Sequence, residues 1–360
     1  MADAVVIVIE DPRASLRRIG AGPGYGLPSA YADDPLLKRR SAAIARDYDL
    51  SIIDEWPLRN LGVHCFAIER PSAAVLAAID RDERIKWLQP FNEFALQSNQ
   101  STTSATSENC ALCQFKAQFD SPGRNITIAV IDTAVDTDHP DLRRSSLVTR
   151  NFAGPRGNPD EEDHGTAVVG LINAIPSTEH GVDGLAPAAR VHLLRGCWQD
   201  NNAQGRCNTL TLALALDAAV DLAPDILNLS LTGRQDRLLD ELLGKLLANG
   251  TLVFAAHDEQ RKAEERFPAR QLGVVYAYGV EETVAASAPS DPNVLYAPRH
   301  ALSLATMGGY DLVSGHSIAT PQLAAMAARL MEHDASRSRA DTIQTLKDWL
   351  KDYYGALFAE

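Results

Sequence analysis

A strand that is apolar on both faces can show neither face to water, so runs of this kind constrain a fold more than composition does. Three occur after residue 125: IAVID at 128–132, DILNLS at 225–230 and LVFAA at 252–256. They alternate with stretches of helical spacing, one opening at His164, one over TLALALDAAVDL (211–222) and one over LLDELLGKLLANG (238–250). Two further strand-like runs are VHLLRG (191–196) and GVVYAYGV (273–280). Alternating strand and helix units predict an α/β fold, a mostly parallel sheet with helices on both faces.

The chain before this region reads differently. AVVIVI (4–9) has the look of a strand, and Leu36, Leu37, Ala42, Ala43 and Ile44 give helical spacing between Pro35 and Tyr48. LSIIDEW (50–56) and GVHCFAIE (62–69) follow as strands, then a helix opened by Pro71 and Ser72, then a strand in IKWLQP (85–90). The order β-α-β-β-α-β is that of a small α+β ferredoxin-like domain. From Gln97 to Asn109 the chain reads QSNQSTTSATSEN, with no aliphatic side chain larger than alanine, which is a linker composition. The predicted division is a small domain over 1–97, a linker over 98–122 that is open to cleavage, and the α/β domain over 123–360.

At 360 residues and 45% hydrophobic the chain can bury a sizeable core, and a net charge of -13 argues against nucleic acid as a partner. The N-terminus lacks a basic region and has too short an apolar run for a secretory leader, and no stretch approaches the ~18 apolar residues of a membrane span. The expectation is a cytoplasmic protein, or a secreted or periplasmic one if a leader has been removed. Cys110 and Cys113 form a C-x-x-C with no second pair or histidines to complete a zinc site, so a redox or metal role is the lesser reading. Cys197 and Cys207 flank a polar segment that a disulfide would close in an oxidising compartment; free thiols are the default.

Three motifs carry chemistry: AVIDTAVDTDHPDL around Asp132, EEDHGTAVVGLI around His164, and SGHSIATPQLAAMAA around Ser317. Amide hydrolysis by a nucleophile needs an activated hydroxyl, an imidazole that takes and returns its proton, and a carboxylate that holds the imidazole in one tautomer. Asp132 ends a buried strand, where functional groups of parallel sheets gather. His164 and Ser317 each begin a helix, and Pro321 is expected in the first turn after Ser317.

At these residues the chain resembles the subtilase family of serine peptidases, from about Gly123 to the C-terminal helices. The order Asp, His, Ser is that family's, and Gly315-His316-Ser317-Ile318-Ala319-Thr320-Pro321 is similar to its G-T-S-x-A-x-P. VDGLAPAARVHLLR resembles the family's G-x-A-P segment at Gly184, Ala186 and Pro187, and ILNLSLTG resembles its N-x-S-x-G strand. The resemblance implies a serine endopeptidase acting on polypeptides, with Asp132, His164 and Ser317 as its triad. It also implies that Ser230, Leu231, Thr232 and Gly233 line a wall on which an extended peptide adds as a strand. Thr232 stands where glycine is common, which would narrow the first specificity pocket. Ala134 also stands where glycine is common.

The sharpest departure lies at TLVFAAHDEQ, where Asp258 occupies the place of the asparagine that completes the family's oxyanion hole. An ionised Asp258 would repel an oxyanion; a protonated Asp258, or His257, would donate instead. His316 is read as a surface histidine beside the nucleophile. The position of the N-terminal domain implies a pro-domain that inhibits its own protease, with the segment after LQPFNEFALQS lying in the cleft like a substrate. No cofactor is expected: STEHGVDG lacks the asparagine-rich pattern of the family's calcium loop, so structural calcium is not supported. The run Asp160-Glu161-Glu162-Asp163 is read as a solvated acidic loop rather than a calcium site, and His139 and Asp141 as structural. The rival readings are a degenerate protease that only holds peptides, with Asp258 as the lesion, and an esterase using the same triad. Helical stripes at 238–247 and in LKDWLKDYYGALF (346–358) are assigned to core packing.

Overall fold

The computed structural model describes residues 4–12, 34–96, 99–100, 111–262, 265–268, 273–281 and 291–358. The N-terminal unit comprises β1 (Ala4–Glu10), α1 (Pro35–Asp47), β2 (Ile52–Leu58), β3 (Val63–Glu69), α2 (Ala73–Ile79) and β4 (Trp87–Pro90). Its four strands form one antiparallel sheet in the order β2-β3-β1-β4. The chain continues through β5 (Glu93–Leu96), β6 (Asn99–Gln100), α3 (Ala111–Gln118), β7 (Thr127–Asp132), β8 (Ser146–Asn151), α4 (Asp163–Asn173) and β9 (Arg190–Arg195). There follow β10 (Cys197–Gln199), β11 (Gly205–Asn208), α5 (Thr209–Leu222), β12 (Ile226–Leu229), β13 (Leu231–Arg234), α6 (Arg237–Ala248) and β14 (Leu252–Ala256). The last elements are β15 (Arg266–Phe267), β16 (Val274–Val280), β17 (Val294–Pro298), β18 (His300–Ala305), β19 (Gly309–Ser314), α7 (His316–His333) and α8 (Arg339–Phe358).

The centre is a seven-stranded parallel sheet ordered β17-β16-β14-β12-β7-β9-β8. The runs that lack polar alternation are its inner strands: β12 and β14 are buried throughout, and β7 is buried from Ile128 to Asp132. Alternate residues divide between two cores. Ala129, Ile131, Leu227, Leu229 and Val253 pack with α5 and α6 on one face; Ile128, Val130, Ile226 and Phe254 pack with α3, α4, α7 and α8 on the other. The leucine stripe of α6 and Leu346, Leu350 and Tyr354 of α8 belong to these cores, as their spacing predicts.

β1 is buried on both faces for a different reason. Val5, Ile7 and Ile9 pack with Ile44 and Ile79 of the unit's own helices, while Ala4, Val6 and Val8 belong to the same core as α5 and α6. The unpolarised run AVVIVI therefore marks a sheet with two covered faces, one of them against the larger unit.

Three expectations are corrected. The segment 98–122 is not all linker: β6 pairs with β19, and α3 with the residue after it places Phe115 and Phe119 in the core, Phe115 edge-on to Trp349 at 5.0 Å. Residues 101–110, the heart of the polar tract, lie outside the described residues. ILNLSLTG is not one strand, because the chain leaves the parallel sheet at Ser230 and enters a second sheet as β13. Cys197 and Cys207 are not free thiols: they face each other across the β10–β11 ladder, Cα atoms 4.3 Å apart, and form a disulfide. Cys113 is also disulfide-bonded, and Cys65 is a buried free thiol. Among the described residues no helix is long and apolar enough to cross a membrane.

Candidate active site

Asp132 is the last residue of β7, and His164 and Ser317 are the second residues of α4 and α7, so three elements end at one edge of the parallel sheet. Asp132 Oδ1 lies 2.7 Å from His164 Nδ1, and His164 Nε2 lies 3.2 Å from Ser317 Oγ. All three side chains are buried. Gly165 lets α4 begin this close to β7, since a Cβ there would collide with the carbonyls of Thr133 and Ala134. The Gly165 N–H donates to Thr133 Oγ1 at 2.8 Å, and the Thr133 N–H donates to Asp132 Oδ1 at 2.7 Å. Ala134 needs no left-handed backbone: it is not among the positive-φ residues.

Ser317 is held from its carbonyl. Pro321 sits in the second turn of α7, not the first, and has no N–H to give the Ser317 carbonyl four residues back. The Ser230 hydroxyl fills that role, donating to the Ser317 oxygen at 2.8 Å and accepting from Asn228 Nδ2 at 3.0 Å. Ser230, expected on the wall of the cleft, is a fully buried support for the nucleophile's backbone.

Leu231, Thr232 and Gly233 are buried because the wall they form is already occupied. β5 lies antiparallel between β13 and β11, with Leu96 opposite Leu231, Ala95 opposite Thr232 and Phe94 opposite Gly233. The ring of Phe94 covers Gly233, where any Cβ would strike it, and meets Phe267 edge-on at 5.6 Å. On the far side of the nucleophile, Asn99 and Gln100 pair with Ser314 and Val313 of β19, the strand that leads into α7. Leu96 thus pairs with the residue after Ser230, which bonds the Ser317 carbonyl, and Asn99 pairs three residues before Ser317. The N-terminal unit is fastened by further polar contacts: Asn60 N–H donates to Asp217 at 3.0 Å, and Gln89 Nε2 and Asn92 Nδ2 donate to Asp236 at 2.8 and 3.1 Å.

In the loop after β14 the Asp258 carboxyl is engaged by its own loop. Its Oδ1 accepts from the Gln260 N–H at 2.9 Å and its Oδ2 from Arg261 Nη1 at 2.8 Å. Both Asp258 oxygens thus accept within the loop that they close. His257 is neutral: burial, then the charge of Arg266, push its pKa down to about 4. Among the described residues its buried Nδ1 has no hydrogen-bond partner. His316 is buried, not a surface residue; its Nδ1 accepts from the Gly279 N–H at 2.9 Å, so the proton sits on Nε2, 3.3 Å from Glu259 but off the hydrogen-bonding direction. The rings of His257 and His316 lie 5.9 Å apart.

Glu162 leaves the acidic run as well. It is fully buried, accepting from the Ala134 N–H at 2.7 Å and pairing with Arg195. His139 bonds the Gly309 carbonyl at 2.9 Å, and Asp141 accepts from the N–H groups of Ser177 and Val182 and from the Tyr310 hydroxyl, all structural contacts. Among the described residues no three His, Cys, Asp or Glu side chains converge to hold a metal.

A parallel sheet with an Asp–His–Ser relay at its carboxyl edge defines a serine hydrolase by class. The model of the subtilase family matches residues 123–353. The chain is 32% identical over 225 residues to an intracellular serine protease of Paenibacillus polymyxa, covering 58% of this chain and 68% of that protein. It is 29% identical over 227 residues to the major intracellular serine protease of Bacillus subtilis (strain 168), covering 59% of this chain and 70% of that one. In fold it is similar to fervidolysin from Fervidobacterium pennivorans, a keratinolytic enzyme related to subtilisin, with a TM-score of 0.67 and 17% identity over 96% of this chain and 57% of that one. The prenylagaramide maturation protease PagA is similar in fold over 66% of this chain and 87% of its own, with a TM-score of 0.53 and 23% identity. The chain belongs to the subtilase family, whose members are serine-type endopeptidases.

Proposed function

We propose that this subtilase is a zymogen whose active centre is Asp132, His164 and Ser317, and whose N-terminal unit is its first substrate and its inhibitor. His164 Nε2 takes the Ser317 proton as Oγ attacks the scissile carbonyl, and the imidazolium then gives that proton to the leaving amine. Asp132 holds Nδ1–H and stabilises the imidazolium without being protonated. The Ser317 N–H and a neutral His257 N–H are the donors assigned to the oxyanion; a neutral imidazole serves as such a donor elsewhere in catalysis. Water then releases the acyl group. A polypeptide substrate would take the place of β5, adding a strand between β11 and β13. The reading uses no metal or cofactor, and it assigns self-cleavage to the interval between Leu96 and Asn99.

The observation that carries this reading is the hydrogen-bonded line Asp132–His164–Ser317. The acid in place of the family's asparagine favours the rival, a degenerate cleft that binds without cutting. Incubating the chain and its Ser317→Ala variant across a range of pH, with intact mass and fluorophosphonate labelling followed together, separates the two. Cleavage between Leu96 and Asn99 with labelling, both absent in the variant, supports the zymogen. A wild-type chain that neither labels nor cleaves, even after its N-terminal unit is trimmed by an added protease, supports the degenerate cleft. Hydrolysis of esters with no action on peptides would assign an esterase.

A further inference from the structure

We infer that Glu162 and Arg195 are a positioning pair for the reaction, holding Asp132 and His164 in register; this rests on the zymogen reading above. Taking a carboxylate and a guanidinium out of water costs several kcal/mol per ion, recovered only where every donor and acceptor is engaged in good geometry. Here they are. Glu162 Oε1 accepts from Arg195 Nη2, and Oε2 accepts from Arg195 Nε at 2.9 Å and from the Ala134 N–H at 2.7 Å. The remaining guanidinium donors go to Asn151 Oδ1 at 3.1 Å and to the carbonyls of Gly154 and Arg156. Glu162 is fully buried and Arg195 is 4% exposed.

The placement of the pair is what points to the reaction. Arg195 is the direct ladder partner of Asp132 across β7 and β9. Glu162 is the N-cap residue of α4, two positions before His164, and Ala134 is two positions after Asp132. One fork therefore fixes the strand end that carries the carboxylate to the helix start that carries the imidazole. Glu162 makes no side-chain capping bond to α4, although a cap typically contributes about 1 kcal/mol of helix stability. Its carboxylate is turned to the Asp132 turn instead, which local helix stability alone does not favour. Neither residue reaches the reacting atoms, so both act through Asp132 and His164.

The pair also has a charge consequence. Among the described residues, the charged side chains placed at His164 are Asp132 on β7, Glu162 and Asp163 preceding it, and Arg195 on β9; Asp163 is bonded to Thr306. Glu162 and Arg195 cancel, so removing one leaves a net charge beside the imidazole. Glu162→Gln leaves a cation and disfavours the imidazolium; Arg195→Gln leaves an anion and favours it.

The test follows peptide hydrolysis by the self-matured chain, with kcat and KM separated and kcat/KM profiled against pH. Both single variants are expected to lose about tenfold to a hundredfold in kcat, the order expected for an ångström-scale misplacement, with KM within about twofold. The acid limb of kcat/KM moves roughly one pH unit down in Glu162→Gln and up in Arg195→Gln. The double variant returns the limb to its wild-type position while kcat stays low. Arg195→Lys keeps charge and bulk but loses the fork, so if the glutamine variants do not fold it carries the test: reduced kcat with an unmoved limb supports the pair, and wild-type kcat overturns it. Limbs that stay fixed or move together, or a loss confined to thermal stability, also overturn it. A wild-type chain inert to the phosphonate would overturn the enzyme reading and this inference with it, and the labelling assay identifies that case on its own.

Discussion

Replacing Ser230 with alanine removes the donor that holds the Ser317 carbonyl, and the helix cannot replace it. Pro321 occupies the position whose N–H would close the i to i−4 bond, so the carbonyl is left buried without that partner. Removing one partner of a buried hydrogen bond costs about 1–3 kcal/mol. Restoring the missing N–H with Pro321→Ala on top of Ser230→Ala should return about 0.5–1.5 kcal/mol, the net worth of a helical bond. Urea denaturation in a Ser317→Ala background measures this cleanly, because that change stops self-cleavage and keeps the carbonyl. The expected pattern is a destabilised Ser230→Ala, a partly recovered double variant, and a coupling energy of at least about 0.5 kcal/mol between the two sites. Additive effects, or an unaltered Ser230→Ala, would refute the account of how the nucleophile's backbone is held.

Two further outcomes concern the docked N-terminal unit. Burial raises the Asp217 carboxyl to about 6 from its ordinary 3.8. A raised carboxyl binds its proton more tightly when docked, so docking is strongest below about pH 4 and weakens as pH rises to about 6, by at most about 3 kcal/mol. In the Ser317→Ala chain, urea-induced undocking should show that dependence and Asp217→Asn should weaken it, burial at the same contact also raising Asp236; a flat wild-type profile would sink the argument. Gly233→Val displaces the Phe94 ring, whose burial is worth about 1.5–3 kcal/mol. Gel filtration after self-cleavage should then show the N-terminal unit held about tenfold to a hundredfold more weakly. Retention equal to wild type would mean that the ring contributes little to docking.

Much of this was legible because it is periodic or local. Doubly buried strands announced the parallel sheet, and the three motifs carried Asp132, His164 and Ser317, which the fold brings into one hydrogen-bonded line. What was not legible depends on contacts distant in sequence. Nothing near Glu162 identifies Arg195, thirty-three residues on, as its partner, so an acidic run reads as solvated. Ser230 reads as a cleft residue until the Pro321 gap in α7 gives its hydroxyl a use. His316 reads as exposed because the Gly279 N–H that its ring accepts lies on a distant strand. The core role of α3 had a local signal, the Phe115 and Phe119 spacing, which the polar tract before it obscured.

The Cys197–Cys207 link closes the base of a hairpin whose tip, from Asn201 to Gln204, is exposed to solvent. A peptidase is surrounded by copies of itself, and exposed polar turns are where chains are nicked. A cut within that tip would leave both new ends tied at the β10–β11 ladder, with β11 still in place to receive a peptide. The bond thus offers tolerance to autolysis: the wall of the cleft survives damage to the loop that connects its two strands.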